Sequence, residues 1–294
     1  MWHVREPVHP GHFGVRREIL SRLFMRLADE GIFISEYDRL QLTGGAKGVV
    51  IHNFVDFTRF NREISGGPVR LELGLPPEAK VILFLGGRSP IKGIFPLLRA
   101  MSLVKRAVPE AHLLVAGGAY HFSGRLASRV ARTVLPLAGY GTVAQRVDKL
   151  MDRHSLHDYV HMLEWRTDIP QLLAASDLLV FPSIEPHFAR PVIEAGAMAK
   201  PVVASRIGGV EELVVDGETG LLVPPNDAEE LAEAIVRVLN SPEEARRMGE
   251  CGYAQARSRF SLEENVRATV ALYERCLVHE FLGNTTHEFV GKGA

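Results

Sequence analysis

Cysteine is scarce in this chain, whose 294 residues include two, Cys251 and Cys276. Two cysteines are too few for a disulfide scaffold or a cysteine-based zinc cluster, and they are consistent with a reducing compartment. The sequence also has no run of about 18 apolar residues, so we expect no membrane-spanning helix. Residues 1–7 lack the apolar centre of a signal peptide. We therefore expect a cytoplasmic protein.

An excess of charge of either sign is missing as well. Lys and Arg total 34 and Asp and Glu total 35, so the formal net charge is −1 at pH 7. This balance gives no support for binding to nucleic acid. The twelve histidines form no metal-ligand spacing, and we expect no metal site. With 46% hydrophobic and 23% charged residues, the chain has the composition of a globular protein with about two domains.

Strands that alternate with helices dominate the sequence from about residue 80 onward. Continuous apolar runs predict buried parallel strands at 81–85, 112–116, 159–163, 178–181, 201–205 and 220–223. Helical spacing predicts helices over 93–107, 168–175, 191–199, 209–214, 227–240, 242–258 and 261–280. The alternation predicts a doubly wound α/β domain, in which ligands bind beyond the carboxyl ends of the strands.

The first 56 residues predict a smaller α/β unit. It contains helices over 15–30 and 36–43 and short strands at 31–35 and 49–51. Residues 57–77 contain Gly66-Gly67-Pro68 and Pro76-Pro77, which predict an irregular connection between domains. The beginning of the chain resembles the interior of a protein more than an N-terminus.

A glycine-rich turn with two cations follows the predicted strand at 81–85. Gly86 and Gly87 allow a sharp turn and a close approach of the backbone to a ligand. Arg88 offers a planar fork of donors and Lys92 a point charge, a pair suited to a diphosphate. The alternative is a solvated strand-to-helix turn. The turn has neither a Walker ending nor a dinucleotide-binding Gly-x-Gly-x-x-Gly pattern.

Two carboxylates follow the predicted strand at 178–181. Glu185 lies in the loop, and Glu194 lies near the start of the next predicted helix. A carboxylate there can accept hydrogen bonds from sugar or ribose hydroxyls, while the free amides of the helix face an anion. Glu194 could equally serve only the helix dipole in the first turn. Hydrolytic acid–base chemistry by the pair has no other support nearby.

These segments, taken in order, resemble the family 4 glycosyltransferases of the GT-B fold. The resemblance covers about 78–275 and rests on six motifs. They are Gly86-Gly87-Arg88 with Lys92-Gly93, Asp168-Ile169-Pro170 with Ala175-Ser176-Asp177, Pro182-Ser183 with Glu185 and Glu194-Ala195, Pro201–Ser205, Gly208–Glu212 and Asp216–Val223. The resemblance implies one complete Rossmann-like domain that binds a nucleotide sugar, at 78–260. A partial acceptor-side domain at 1–56, a linker at 57–77, a crossover helix at 261–280 and a flexible tail at 281–294 complete the expected organisation.

The resemblance also implies a role for individual residues. Arg88 and Lys92 would hold the diphosphate of the donor, and Glu185 would lie against its sugar; these three are the expected catalytic residues. Glu194 would accept the ribose hydroxyls. The other expected donor-binding positions are Gly86 and Gly87, the backbone at Phe188, Ala189 and Arg190, and Arg166 near the base.

The family moves a sugar from a nucleoside diphosphate with retention of configuration and without a metal. For this chain it implies a UDP- or GDP-linked sugar as donor and no permanently bound cofactor. The acceptor would be a polysaccharide or a lipid-linked intermediate. The main charge that the protein must stabilise is then the departing diphosphate.

The chain departs from the family pattern in several places. Eight residues separate Glu185 from Glu194, where the family usually has seven, and His187 is the extra one. Ala189 replaces a glycine, which would restrict the approach of the backbone to the donor. Glu164-Trp165 stands where a glycine is common. The family's chains are also usually longer, so we expect Met1 to be a truncated or misplaced start.

The long segment 119–158 is a further departure. Arg125, Arg129 and Arg132 fall on one helical face and apolar residues on another. One hypothesis is peripheral contact of residues 123–137 with the inner face of the membrane, where lipid-linked acceptors would lie. The competing interpretation is a core-packing helix with a solvated arginine face.

Two other functions stay open at this point. One is a GT-B-fold sugar-nucleotide 2-epimerase, which the arrangement of the glutamates and of the Gly-Arg…Lys-Gly turn disfavours. The other is a non-catalytic fragment that binds nucleotide sugars, because the first half of the family's N-terminal domain is absent from the sequence.

Overall fold

The structure is a computed structural model that describes residues 1–5, 15–118 and 142–290, with side chains described as far as residue 277. The chain divides into two compact units. The first comprises Met1–Asp56 and Ser258–Ala294, and the second comprises Phe57–Arg257. The stretch 57–77, for which the sequence predicts an irregular connection, thus groups with the second unit and contains a short helix.

Among the described residues, six parallel strands form the sheet of the second unit. They are β4 Lys80–Phe84, β5 Ala111–Val115, β6 Val160–Met162, β7 Leu178–Phe181, β8 Val202–Ser205 and β9 Gly220–Val223. Their order across the sheet is β6-β5-β4-β7-β8-β9. Each strand lies within one residue of its predicted bounds, because continuous apolar runs of this length are typical of strands covered on both faces.

The helices of the second unit cover this sheet. They are α3 Gly67–Glu72, α4 Ile94–Ala107, α5 Val143–His154, α6 Ile169–Ala175, α7 Arg190–Ala197, α8 Ala228–Asn240 and α9 Pro242–Arg259. Ile82 and Phe84 of β4 belong to one buried cluster with Leu97 of α4 and Ile235 of α8. Burying an apolar side chain of this size contributes about 1.5–3 kcal/mol.

The order in which successive strands are added to the sheet reverses beside β4. From β4 the chain moves outward through β5 to β6, and it then returns to the other side of β4 as β7. The carboxyl ends of β4 and β7 are therefore neighbours at a topological switch point. In open α/β sheets this crevice is where ligands bind.

The first unit contains a parallel three-stranded sheet, β1-β2-β3, within its described residues. Its elements are β1 Trp2–Val4, α1 Val15–Leu27, β2 Gly31–Phe33, α2 Glu36–Thr43, β3 Val49–Val50 and α10 Leu262–Val290. Ser35 caps α2, because its Oγ accepts a hydrogen bond from the Asp38 amide at 3.0 Å. Phe24, Phe33 and Leu42 form the centre of a small core.

Several sequence predictions differ from the structure. The helix predicted over 209–214 is wrong, since the chain there forms hydrogen-bonded turns and Gly209 has a φ of +83°. Strand β1 was not predicted. Helix α10 continues to Val290, past residue 280, where the predicted helix ends and the predicted flexible tail begins. The segment 123–137, of the membrane hypothesis, lies outside the described residues.

Candidate donor-binding site

The turn after β4 is packed tightly against the turn after β5. Gly87 has a φ of +54°, and its amide donates to the Ala116 carbonyl at 3.0 Å. A Cβ added at Gly87 would lie 2.7 Å from the carbonyl oxygen of Gly118. The predicted glycine turn is therefore required by the local backbone, and it places Arg88 just beyond the end of β4.

Arg88 is half-buried and has a distant acidic neighbour. Its Nη2 lies 3.9 Å from Oδ1 of Asp148 on α5, and the two side chains are 34% and 56% exposed. An ion pair of this length and exposure contributes about 0–1 kcal/mol. A phosphate that offered the Arg88 fork shorter bonds would compete well with such a pair.

The loops after β4 and β7 are joined by backbone contacts. Gly93, with a φ of +88°, precedes α4, and a Cβ there would overlap the carbonyl group of Pro182. The Ile91 carbonyl accepts hydrogen bonds from the Ile184 amide at 3.0 Å and from the Ser183 hydroxyl at 2.9 Å. These contacts hold the segment that carries Arg88 and Lys92 against the segment that carries Glu185.

Lys92 and His187 meet where these two loops join. Lys92 Nζ lies 2.5 Å from His187 Nε2, and the Lys92 ammonium is 5.7 Å from the centre of the Phe181 ring. Burial and the charge of Lys92 lower the pKa of His187 to about 4. The side chain of Glu185 is exposed, and its carbonyl oxygen accepts a hydrogen bond from His187 Nδ1 at 2.9 Å.

Helix α7 starts directly after this loop. Ala189 is its N-cap residue with a φ of −95°, which an alanine adopts without strain. The replacement of glycine at this position therefore imposes no backbone conflict. Phe188 and Ala189 are buried, whereas the Arg190 side chain is 66% exposed.

Glu194 is the fifth residue of α7, beyond the first turn, so the helix-dipole interpretation of this carboxylate does not apply. Its side chain is 14% exposed, and Oε1 lies 3.7 Å from Arg190 Nε. Burial raises the pKa of Glu194, and the positive charges of Arg190 and Arg59 act in the opposite direction. A largely buried carboxylate with such distant partners is costly to the fold and is typical of a binding site.

Arg59 is a site residue that the sequence did not single out. Burial raises the pKa of Glu194, and the positive charge of Arg59 acts to lower it. Arg59 Nη2 also donates a hydrogen bond to the Thr167 carbonyl at 3.0 Å. The guanidinium of Arg59 is thus anchored to the loop after β6, and its positive charge favours the ionised form of Glu194. It lies in the stretch predicted to be a linker, where no motif or periodicity marks a functional arginine.

Arg166 lies in the loop after β6, and two carboxylates hold its side chain. Its guanidinium donates to Asp168 at 2.8 and 2.7 Å and to Glu72 of α3 at 2.5 and 3.0 Å. These bonds lower the pKa of Glu72 and Asp168. Its side chain is thus engaged in a bidentate network, and a role near the base stays a prediction for this segment.

Trp165, next to Arg166, has a 77% exposed indole. A Cβ added at Gly118 would lie 3.9 Å from its Cε3 atom, so the ring stands beside the turn after β5. An exposed aromatic face at the carboxyl edge of the sheet is able to stack on a planar ring. The sequence shows Trp165 only as a departure from a common glycine.

The described part of the chain contains neither a candidate metal cluster nor a helix that could span a membrane. Within 1–5, 15–118 and 142–290, no group of three or more His, Cys, Asp or Glu residues has the geometry to hold a metal ion. No helix in that part of the chain is both long enough and apolar enough to cross a bilayer.

The family model of glycosyl transferases group 1 matches residues 69–255, more than half of the chain. The chain belongs to this family. The D-inositol 3-phosphate glycosyltransferase of Segniliparus rotundus is 33% identical to it over 270 residues, which are 86% of this chain and 55% of that protein. The MMP alpha-(1->4)-mannosyltransferase of Mycolicibacterium hassiacum is 38% identical over 133 residues, 44% of this chain and 32% of that protein. The chain thus spans about half the length, or less, of these two curated relatives.

Solved structures of the same fold cover nearly the whole chain. Anabaena Alr3699/HepE, in complex with UDP and glucose, has a TM-score of 0.79 and 25% identity over 93% of this chain and 70% of that one. Sucrose-phosphate synthase from Thermosynechococcus elongatus has a TM-score of 0.74 and 27% identity over 90% of this chain and 62% of that one. The predicted α/β fold of the GT-B type is confirmed.

Proposed function

We propose that this protein transfers a sugar from a nucleoside-diphosphate donor to a glycan or lipid-linked acceptor, with retention of configuration. The observation that carries the proposal is that the loops after β4 and β7 are hydrogen-bonded to each other at the switch point. Contacts of Ile91 with Ser183 and Ile184 bring two cations and two carboxylates to one edge of the sheet. That combination suits a ligand with a diphosphate at one end and hydroxyl groups at the other.

The proposed mechanism assigns the cations to the leaving group. Arg88 and Lys92 would neutralise the charge that develops on the departing diphosphate, and their positions are set before the donor arrives. Glu194 would accept hydrogen bonds from the ribose, and its ionised form would be the stronger acceptor. Glu185 would face the donor sugar, where a carboxylate stabilises an oxocarbenium-like transition state.

UDP is the nucleotide that the comparisons favour. The complex of Anabaena HepE is named for UDP and glucose, and that chain shares 25% of its residues with this one. The relatives named as inositol phosphate glycosyltransferase and mannosyltransferase support a phosphorylated or glycan-like acceptor. Action in the cytoplasm, at the inner face of the membrane, stays part of the proposal.

A panel of UDP- and GDP-linked sugars tests the function. We expect one donor to give a transfer product with an acceptor extract, with the anomeric configuration of the donor retained in NMR spectra of the product. Appearance of an epimerised nucleotide sugar would favour the 2-epimerase instead. Binding of the donor without transfer or hydrolysis would favour a non-catalytic binding protein.

A further inference from the structure

His187 stands between a cation and a carbonyl group. Its Nε2 is 2.5 Å from the ammonium nitrogen of Lys92, and its Nδ1 is 2.9 Å from the carbonyl oxygen of Glu185. The carbonyl can only accept a hydrogen bond, so Nδ1 must carry the proton. The ammonium can only donate, so Nε2 must be the acceptor. These two contacts specify a neutral imidazole in a single tautomer.

The surroundings fix the position of this ring. The Phe181 ring centre lies 5.1 Å from the imidazole centre, and the Ser183 hydroxyl is 3.4 Å from Nδ1. Behind it, a Cβ at Gly209 would come within 3.0 Å of the His187 backbone. His187 is therefore held by the loops after β7 and β8, and its Nε2 lone pair has a defined direction.

Because the acceptor beside Lys92 is a neutral imidazole, it affects the lysine differently from a carboxylate. A carboxylate beside Lys92 would cancel the charge that attracts a phosphate, whereas an imidazole orients the ammonium and leaves its charge in place. The lysine side chain has four rotatable bonds, so its free form is spread over many rotamers. Fixing it before the ligand arrives removes part of the ordering cost from binding.

We propose that His187 is a positioning residue, whose neutral Nε2 holds the Lys92 ammonium in place for the diphosphate of the donor. This inference rests on the proposed function, because it needs Lys92 to contact the nucleotide. It gives a role to the residue that lengthens the segment between the two glutamates to eight.

A double-mutant cycle with UDP and GDP as calorimetric probes tests this role. We expect His187→Leu to weaken binding of the preferred nucleotide by roughly tenfold, as expected when an orienting bond to a charged group is lost. In a Lys92→Ala background the same change should have almost no further effect. His187→Gln, whose amide oxygen can accept from Lys92, should recover part of the affinity. His161→Ala, at the β6 edge, is the control histidine and should bind as the parent does.

Each of the following results would overturn the role. If His187→Leu lowers nucleotide affinity by the same factor in the parent protein and in the Lys92→Ala background, His187 has only a general packing role. If His187→Leu binds the nucleotide with unchanged affinity while Lys92→Ala binds it more weakly, His187 has no positioning role, and the proposed function stays intact. Failure of the unmodified protein to bind either nucleotide would remove both. If His187→Leu does not fold, a His187→Gln variant without any recovery relative to His187→Asn contradicts the acceptor role.

Discussion

Charged residues are used differently at the amino edge of the six-stranded sheet and at the switch point between β4 and β7 on its carboxyl edge. At the amino edge, ionic groups make close bonds. Lys80 Nζ lies 3.1 Å from Glu110, and Asp177 accepts from the Val81 amide at 2.7 Å and from Arg70 at 3.0 Å. These bonds join the start of β4 to neighbouring elements, so the charges there serve the fold.

A cavity of about 300 Å³ lies at the amino edge, and a charged residue that lines it also bonds to the fold. Lys200, one of its lining residues, donates to the carbonyls of Ala174 at 3.3 Å and Ser176 at 2.8 Å. Burial lowers the pKa of Lys200. The polar groups of this cavity are thus engaged in holding α6 and β7, and it resembles a structural cleft.

At the carboxyl edge, close pairs occur in the loop after β6, where Arg166 bonds Asp168 at 2.7 Å, but the ion pairs in the segments after β4 and β7 are longer. Arg88 is 3.9 Å from Asp148, and Glu194 is 3.7 Å from Arg190. Lys92 is oriented by a neutral imidazole. The same sheet therefore has tight ionic bonds at its amino edge, and at the switch point between β4 and β7 it has charges arranged at a distance that a ligand could bridge. The predictions below test this difference.

The largest effect should come from removing both cations after β4. We expect Arg88→Ala combined with Lys92→Ala to weaken nucleotide binding by roughly a hundredfold or more, because two charged hydrogen bonds are lost at about 1.5–3 kcal/mol each. Isothermal titration with UDP measures this. The thermal midpoint should change little, since Arg88 lies 3.9 Å from Asp148 and Lys92 contacts the ring of His187. A large drop in that midpoint would assign the two cations to the fold.

Glu194→Gln should have opposite effects on affinity and stability. Binding should fall by roughly tenfold, because a neutral amide is a weaker acceptor for the ribose hydroxyls. Thermal unfolding should occur at a higher temperature at pH 7, because an ionised carboxylate is no longer buried. Glu110→Gln at the amino edge is the matched control and should not weaken nucleotide binding.

The raised pKa of Glu194 makes its effects on stability and on nucleotide affinity depend on pH. Above that pKa the ionised group costs folding free energy, and the cost disappears as pH falls below the unfolded value near 4.5. The stability gain of Glu194→Gln should therefore shrink toward pH 4. Nucleotide affinity of the unmodified protein should fall as Glu194 is protonated, and in Glu194→Gln this loss should be absent.

Asp177→Ala should be the reverse case, with a loss of stability and no loss of affinity. The change leaves the Val81 amide without its acceptor and breaks the bond to Arg70, which should cost about 1–3 kcal/mol. Urea unfolding measures the change. A weaker titration with UDP in the folded variant would show that the amino edge takes part in binding.

The smallest effect should come from Ala189→Gly, which restores the residue expected from the family. Since the φ of Ala189 is already −95°, we expect donor affinity to change by less than about twofold, with little change in stability, because glycine is favoured over alanine at an N-cap and this offsets its greater freedom in the unfolded chain. A calorimetric titration compared with a thermal melt separates the two. A large gain in affinity would show that the Ala189 methyl group obstructs the donor.

The sequence was enough to predict the six strands of β4–β9, because each is a buried apolar run that few other structures accommodate. The positions of the glycine turn after β4 and of the two glutamates after β7 follow from the strand ends, and the roles of these residues toward a donor stay predictions. The side-chain contacts that these residues make at the switch point were not visible in sequence.

What the sequence did not predict depends on contacts between distant segments. Arg59 acts near Glu194 across more than a hundred residues, and His187 meets Lys92 across 95. Neither pair has a local pattern. The helix predicted over 209–214 failed because the Gly209 backbone takes a left-handed conformation against the His187 loop, which overrides the helical spacing.

The most direct test of the account compares two lysines at opposite ends of β4. Lys80 begins the strand and Lys92 follows its carboxyl end, so Lys80→Ala and Lys92→Ala remove the same charge from the two edges of one sheet. We predict that, in titrations with UDP, Lys92→Ala weakens binding by roughly tenfold or more while Lys80→Ala binds as the unmodified protein does. Equal affinity in the two variants would contradict the assignment of the carboxyl edge to the nucleotide.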